Sequence, residues 1–334
     1  MDNNYDKPFK TIDEMIELLS ERNVEFEDIN FAKSTLQSLS YYTIINGYKN
    51  SFLSIPGTDS FKPGTRFEEL YTLHIIDTRL SSVILKNILY VERYLKTRIS
   101  YLVSKKYGVY TDFHDLSSKS DIDYLSRYNY SNSTNRRKNT LRSLKKSLTS
   151  RKRNSIVTHY IANKNHIPPW ILVTNITFGL VIDWYVILKG CDKSCICEQF
   201  LFSDSIEIEA KKEFFKASIT MLKDYRNTIA HGNRLFQSAA NTKLPKRQLI
   251  EFSHNAVSSA EYDSKHGQND LFAAILAIFI LIDDEYLLLN FYHDLQYVLI
   301  PYKDVKISNA SIYNTFNLPN DLFKRLEQYI SEKA

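Results

Sequence analysis

The chain has 334 residues, room for one large domain or two modest ones. A 43% hydrophobic and 13% aromatic content excludes a disordered chain, and eight glycines and eight prolines lean it toward helix. The net charge is only +5 at pH 7, so any strongly basic surface has to be local.

Three cysteines, Cys191, Cys195 and Cys197, lie close together with no histidine beside them. A disulfide framework wants an even count and an oxidising compartment, and a zinc site wants a fourth ligand. Free thiols are expected, with no metal and no cofactor. The N-terminus shows no apolar signal segment. The longest apolar run, Leu271 to Ile282, is 12 residues, too short to span a bilayer. These features predict a soluble, cytoplasmic protein that does not enter a membrane.

Thr11-Ile12-Asp13-Glu14 is a capping box that opens a helix to about Arg22, with Ile12, Met15, Ile16 and Leu19 as its buried stripe. A second helix is predicted from Asn30 to Ile45. Pro56-Gly57 and Pro63-Gly64 then supply turn chemistry. From Phe67 to Lys106 there is no proline or glycine, and Leu70, Leu73, Ile76, Leu80, Ile84, Ile88, Val91, Leu95, Ile99 and Leu102 keep helical spacing. This is one very long helix or two packed end to end.

The charge then becomes lopsided. Between Tyr124 and Ile182 there is no Asp or Glu. Ser131, Asn132, Ser133, Thr134 and Asn135 lead as a loop into a basic run, Arg136, Arg137, Lys138, Arg142, Lys145, Lys146, Arg151, Lys152 and Arg153. Leu141, Leu144 and Leu148 give it a helical stripe. Such a run is either a solvated face or a counterion-releasing surface for a polyanion, and its concentration here favours nucleic acid.

Pro168-Pro169-Trp170 fixes a helix start, and the apolar stretch to Leu188 reads as one central helix that Gly190 ends. The next helix, from Ile208 to Tyr225, shows one apolar face through Phe214, Phe215, Ala217, Ile219 and Leu222. It runs into Arg226-Asn227-Thr228-Ile229-Ala230-His231-Gly232. Gly232 suits the position just past a helix end. Further helices are predicted over Leu249 to Val257, over Leu271 to Tyr297, and from Leu318-Pro319 to Ile330.

The Arg226, Asn227 and His231 trio gathers a fixed cation, an amide and an acid/base group. Asn227 and His231, four apart, share a helix face, while Arg226 lies about 140° round from His231 and reaches back only through its long side chain. Histidine exchanges protons near neutral pH, and arginine forks onto phosphate oxygens. RNA carries its own nucleophile, the 2′-OH. The rival reading is structural, because both cations also suit the negative end of a helix.

These residues, in order, resemble the abortive-infection proteins of the AbiD/AbiF type, whose domain belongs to the HEPN ribonuclease superfamily. The resemblance covers Lys7-Pro8 with Ile16 and Leu19, the tyrosine-rich stretch from Leu39 to Phe52, and Tyr71 to Gly108 with Asp77, Glu92 and Arg98. It continues through Pro169-Trp170 to Thr177-Phe178-Gly179, Arg226-Asn227 to Ala230-His231, and Leu318-Pro319. Two positions depart from the pattern. Arg79 and Ser81 are shuffled after Asp77, and Thr174 stands where relatives often carry an acid.

The resemblance implies an all-α, HEPN-like helical bundle with helical N- and C-terminal extensions. It implies metal-independent RNA cleavage, a homodimer with two facing motifs, and a role in antiviral defence or as a toxin restrained by an RNA or protein antitoxin. The organisation expected is a helical domain over 1–236 with a basic insert around 127–153, then a helical extension over 237–334. Arg226, Asn227 and His231 are the expected catalytic residues, and the basic run the expected RNA contact. The alternatives are an RNA-binding module that does not cut and a protein–protein scaffold.

Overall fold

A computed structural model describes residues 7–132 and 134–333, and the fold is all-α. Ser133 of the expected loop lies outside the described residues.

Helix α1 (Ile12–Glu21) starts at Thr11, whose hydroxyl accepts the Glu14 amide while the Glu14 carboxylate accepts the Thr11 amide. Helix α2 (Ile29–Leu39) starts at Asp28, which accepts from the Asn30 and Phe31 amides. The single helix expected to Ile45 is broken at Ser40, whose φ of +59° takes it out of helix. The chain resumes as a π-helical turn, Tyr42–Asn46. Helix α3 (Phe67–Tyr107) is one continuous element of 41 residues.

Helix α4 (Thr134–Thr149) carries most of the basic run and begins inside the stretch expected as loop. Helix α5 (Ser155–Asn163) follows, capped by Asn154. The central helix expected to run to Leu188 is two. Helix α6 (Pro169–Leu172) passes into a 3-10 turn, and α7 (Phe178–Ile187) restarts where the Thr177 hydroxyl caps the Leu180 amide. Gly190 does not end a helix; it opens α8 (Gly190–Glu198), which holds the three cysteines.

Helix α9 (Ile208–Ala230) carries the motif. Then come α10 (Lys246–Phe252), α11 (Ser259–Asp263), α12 (Leu271–Leu281) and α13 (Glu285–Leu299). The last two form in place of one predicted helix. Ile282 turns extended, and the Asp284 carboxylate accepts the Leu287 amide to start α13. Helices α14 (Ile312–Thr315) and α15 (Leu322–Lys333) close the chain. The only strands among the described residues are two-residue ladders, Val24–Glu25 with Thr65–Arg66 and Lys306–Ile307 with Ala310–Ser311.

The chain forms two compact units, each assembled from separated stretches. The first holds residues up to Val83, Asn233–Gln237 and His293–Asn320. Its core gathers Leu19, Leu36, Ile45, Phe52, Phe67, Leu73, Leu299 and Phe316. The second holds Ile84–Gly232, Ser238–Tyr292 and residues from Asp321 on. There α4 packs on α7, α7 on α9, and α9 also on α8, α10 and α12. Every residue of α12 is buried, as expected for a helix apolar all round.

Candidate functional site

Helix α9 is held where it is by its apolar face. Phe214, Phe215, Ile219, Met221, Leu222 and Tyr225 are buried. Tyr225 is the last of these anchors, and its hydroxyl donates to the Ser238 and Asn269 carbonyls at 2.9 and 3.2 Å. Burial pushes its phenol well above the usual range. The turn that follows is thereby fixed to the core.

That turn is the motif. Arg226 and Asn227 lie in the last turn of α9, and His231 is the residue at its cap. The His231 amide donates to the Asn227 carbonyl at 3.0 Å, so the backbone itself sets the two residues one turn apart. Gly232 takes φ +70°, and its amide closes on the Ile229 carbonyl at 2.9 Å. A left-handed residue just past a helix end costs little only when it is glycine. Arg226 Nη1 approaches Asn227 Oδ1 at 3.4 Å. Arg226 and Asn227 are half-buried and His231 is exposed. His231 is open to solvent, Asn227 stands one turn back along the helix, and Arg226 precedes Asn227 by one residue.

The basic run is sorted by helix α4. Lys138, Arg142 and Lys146 recur every four residues and are exposed, so they form one stripe. Arg151 and Lys152, in the turn after the helix, are exposed too. Arg136 pairs with Asp183 at 3.0 Å, both about half exposed. Arg137 Nη1 donates to the carbonyls of Arg127 and Ser131 and to Asn132 Oδ1. Arg153 is half-buried, with Nη1 3.4 Å from the Ser150 carbonyl.

Lys145 is a correction. Its side chain is 1% exposed, its ammonium donates to Asp123 Oδ2 at 2.6 Å and to the Asp112 and Asp115 carbonyls at 2.7 and 2.8 Å. All three donors are used inside the protein, so Lys145 is not an RNA contact. The signal was present in the sequence. Leu141, Leu144, Lys145 and Leu148 fall at the spacing of one buried helix face.

The first unit contains a polar cluster that the residue-by-residue reading missed. Asp77, on α3, accepts the Leu235 amide at 3.0 Å and the Phe236 amide at 2.7 Å, and the Tyr48 hydroxyl donates to it at 3.0 Å. His74 Nδ1 lies 3.2 Å from the same hydroxyl. The Arg234 guanidinium sits over the Tyr48 ring, 5.5 Å from its centroid, and donates to the Thr43 carbonyl at 2.9 Å. Burial raises the Asp77 carboxyl, with the three donors pulling the other way. Burial, then the Arg234 charge, lowers His74. Asp77 thus anchors the segment that directly follows His231-Gly232 in the chain.

Among the described residues no group of three or more His, Cys, Asp and Glu side chains is placed to hold a metal ion. The three cysteines are free, and burial pushes the Cys197 thiol up to about 12. No described helix is long and apolar enough to cross a membrane. A family model described as Abi-like protein matches residues 34–237. No curated protein and no solved structure matches the chain.

Proposed function

The chain belongs to the Abi-like protein family, and on that premise we propose that it is a metal-independent endoribonuclease of the HEPN type, close to the AbiD/AbiF proteins. Its role is phage defence by abortive infection, as the family suggests, or that of a toxin restrained by an RNA or protein antitoxin. It acts in the cytoplasm on RNA.

The observation that carries the reading is the end of α9. An arginine, an amide and an exposed histidine follow one another over about one and a half helical turns, on a helix clamped by Tyr225. In the reaction, one histidine takes the 2′-OH proton as that oxygen attacks the adjacent phosphorus. The bond to the 5′-oxygen breaks, and that oxygen takes up a proton. The products are a 2′,3′-cyclic phosphate and a 5′-OH. Arg226 meets the charge that gathers on the non-bridging oxygens, and Asn227 orients the phosphate or the imidazole.

One motif supplies one histidine, and the reaction is helped by two proton-transfer groups. A homodimer with the two motifs facing each other provides both, because an isologous contact brings the same patch from each subunit together. The exposure of His231 is compatible with that arrangement. The stripe of Lys138, Arg142 and Lys146 holds the RNA backbone.

The second reading, an RNA-binding module that does not cut, is favoured by the same stripe. Sequencing the nucleic acid that copurifies, and analysing the ends made in excess EDTA, separates the two. Cyclic-phosphate ends formed in chelator support the enzyme. Bound but intact RNA, with or without added Mg²⁺, supports the module.

A further inference from the structure

Residues 116–127 and helix α4 together line an open pocket of about 300 Å³ in the second unit. Three cations line it, Arg127, Arg137 and Lys138, and among the described residues no carboxylate does. Three leucines line it as well, and two of them, Leu125 and Leu141, are buried at 1% and 4% exposure. Ser117 and Ser118 complete the wall. The cavity is therefore cationic and apolar at once.

Its polar groups are set before any ligand arrives. Arg137 Nη1 is tied to two carbonyls and to Asn132 Oδ1, which fixes the guanidinium and leaves its other two nitrogens for a ligand. Lys138 is exposed and forms no ion pair among the described residues. The Ser118 hydroxyl accepts the Ser120 amide at 3.3 Å, so its own proton remains to donate. Ser117 is engaged by Asp115, whose carboxylate accepts both its amide and its hydroxyl. Of the other acids in this stretch, Asp123 is neutralised by Lys145, and Asp121 remains as a negative charge near Tyr128.

Two exposed tyrosines border this segment. Tyr128 is 54% exposed, with the Arg127 guanidinium 5.0 Å from its ring centroid, and Tyr110 is 40% exposed. Rings beside cations are what a base stacks on when a strand is held without pairing. A bare anion would use the cations and leave the leucines idle. A purely apolar ligand would leave the cations unpaired.

We propose that this cavity is a nucleotide subsite, which takes one nucleoside monophosphate unit with its phosphate against Arg127, Arg137 and Lys138 and its base against the leucines and Ser118. The proposal deepens the RNA-binding reading and rests on it for the biological source of the ligand. The chemistry is the same for a free nucleotide and for a phosphorylated strand end. The exposed stripe of Arg142 and Lys146 continues along α4 from Lys138, so a strand seated in the cavity has a basic track to follow. That track favours RNA over a phosphorylated peptide.

The test uses the full chain and calorimetric titration at fixed salt. The probes are the four nucleoside 5′-monophosphates, inorganic phosphate, a phosphoserine peptide, and a short single-stranded RNA with and without a 5′-phosphate. The variants are Arg127→Gln and Lys138→Gln, both at exposed positions, so the fold is not at stake. The expected result is binding of at least one monophosphate more tightly than inorganic phosphate, weakened about tenfold by either variant, as loss of one charge-assisted bond implies. A strand-end source shows as tighter binding of the 5′-phosphorylated RNA, competed by the monophosphate. A free-nucleotide source shows as monophosphate binding that neither RNA displaces. If RNA binds but no monophosphate does, or the variants leave monophosphate binding unchanged, the subsite is wrong and the RNA reading stands. If RNA also fails to bind at low salt, both are wrong. Inorganic phosphate or the phosphopeptide binding as tightly as every monophosphate overturns the subsite as well.

Discussion

The Lys145 ammonium lies 2.6 Å from the Asp123 carboxylate, and both side chains are 1% exposed. A lysine in the middle of a basic run is thus part of the core, while the basic residues on either side of it, Arg142 and Lys146, are exposed. The pair divides the run into a structural residue and a set of solvent-facing ones.

Lys145→Met should therefore destabilise the fold by about 3–5 kcal/mol, the usual cost of stranding one partner of a buried ion pair. Lys146→Met should stay within about 0.5 kcal/mol, as exposed positions do. Denaturant unfolding measures both. Equal effects at the two positions would show that Lys145 is a surface residue.

The exposed stripe should bind through phosphates rather than bases. Replacing Lys138, Arg142 and Lys146 together by alanine should weaken single-stranded RNA of any sequence. It should flatten the log–log salt dependence by about 2, from roughly 0.7 per lost contact. An unchanged slope, or a loss confined to one sequence, would remove the stripe from the RNA surface.

Asp77 should matter more for order than its distance in sequence from the motif suggests. Asp77→Ala leaves the buried amides of Leu235 and Phe236 without an acceptor, at about 1–3 kcal/mol for each orphaned donor. Asp77→Asn keeps an acceptor oxygen and should cost less. Gly47→Ala tests the same cluster from the other side, since its Cβ would collide with the Arg234 guanidinium and must displace it. Thermal unfolding should rank the alanine variant of Asp77 below its asparagine variant. The reverse order would break the account of this cluster.

Lys333 predicts a pH dependence. Its ammonium donates to the Phe279, Ile280 and Ile282 carbonyls, and burial lowers its pKa to about 8 from 10.5, with Asp283 opposing. A lysine whose folded pKa is depressed penalises the fold while both states are charged. As pH rises above about 8 the folded state releases its proton first, and stability is gained. Wild type should therefore gain stability relative to Lys333→Met between pH 8 and about 9.5, below the titration of the tyrosines. A flat difference over that window would contradict the buried ammonium.

Much of the fold was legible because it depends on local chemistry. The Thr11 capping box, the unbroken spacing from Phe67 to Tyr107 and the glycine after His231 all act within a few residues of themselves. The breaks at Ser40, Thr177 and Ile282 were not legible, because apolar periodicity runs straight through each of them. At Thr177 and Asp284 a side chain caps the next helix, which competes with continuing the last one.

The candidate site was legible as a string, Arg226 to His231, and the helix end there has the expected form. The partners of Asp77 were not, because Leu235 lies 158 residues further on. Lys145 and Asp77 share one lesson. Each sits on an apolar helix face, at the spacing of Leu141, Leu144 and Leu148 or of Leu73, Ile76 and Leu80, and a charge in such a place is bound inside.

The central claim is that His231, supplied by each of two chains, performs the proton transfer that cuts RNA. It is tested most directly by single-turnover cleavage in excess EDTA, comparing wild type, His231→Ala and a defined heterodimer of the two, each checked for helicity and mass. The account predicts cyclic-phosphate ends from wild type and a loss of about 10²-fold or more in the variant homodimer, the scale of one acid–base group. It predicts that the heterodimer falls well below half of wild-type activity. Undiminished cleavage by His231→Ala, a fully active wild-type monomer, or a heterodimer at a clean half would contradict it.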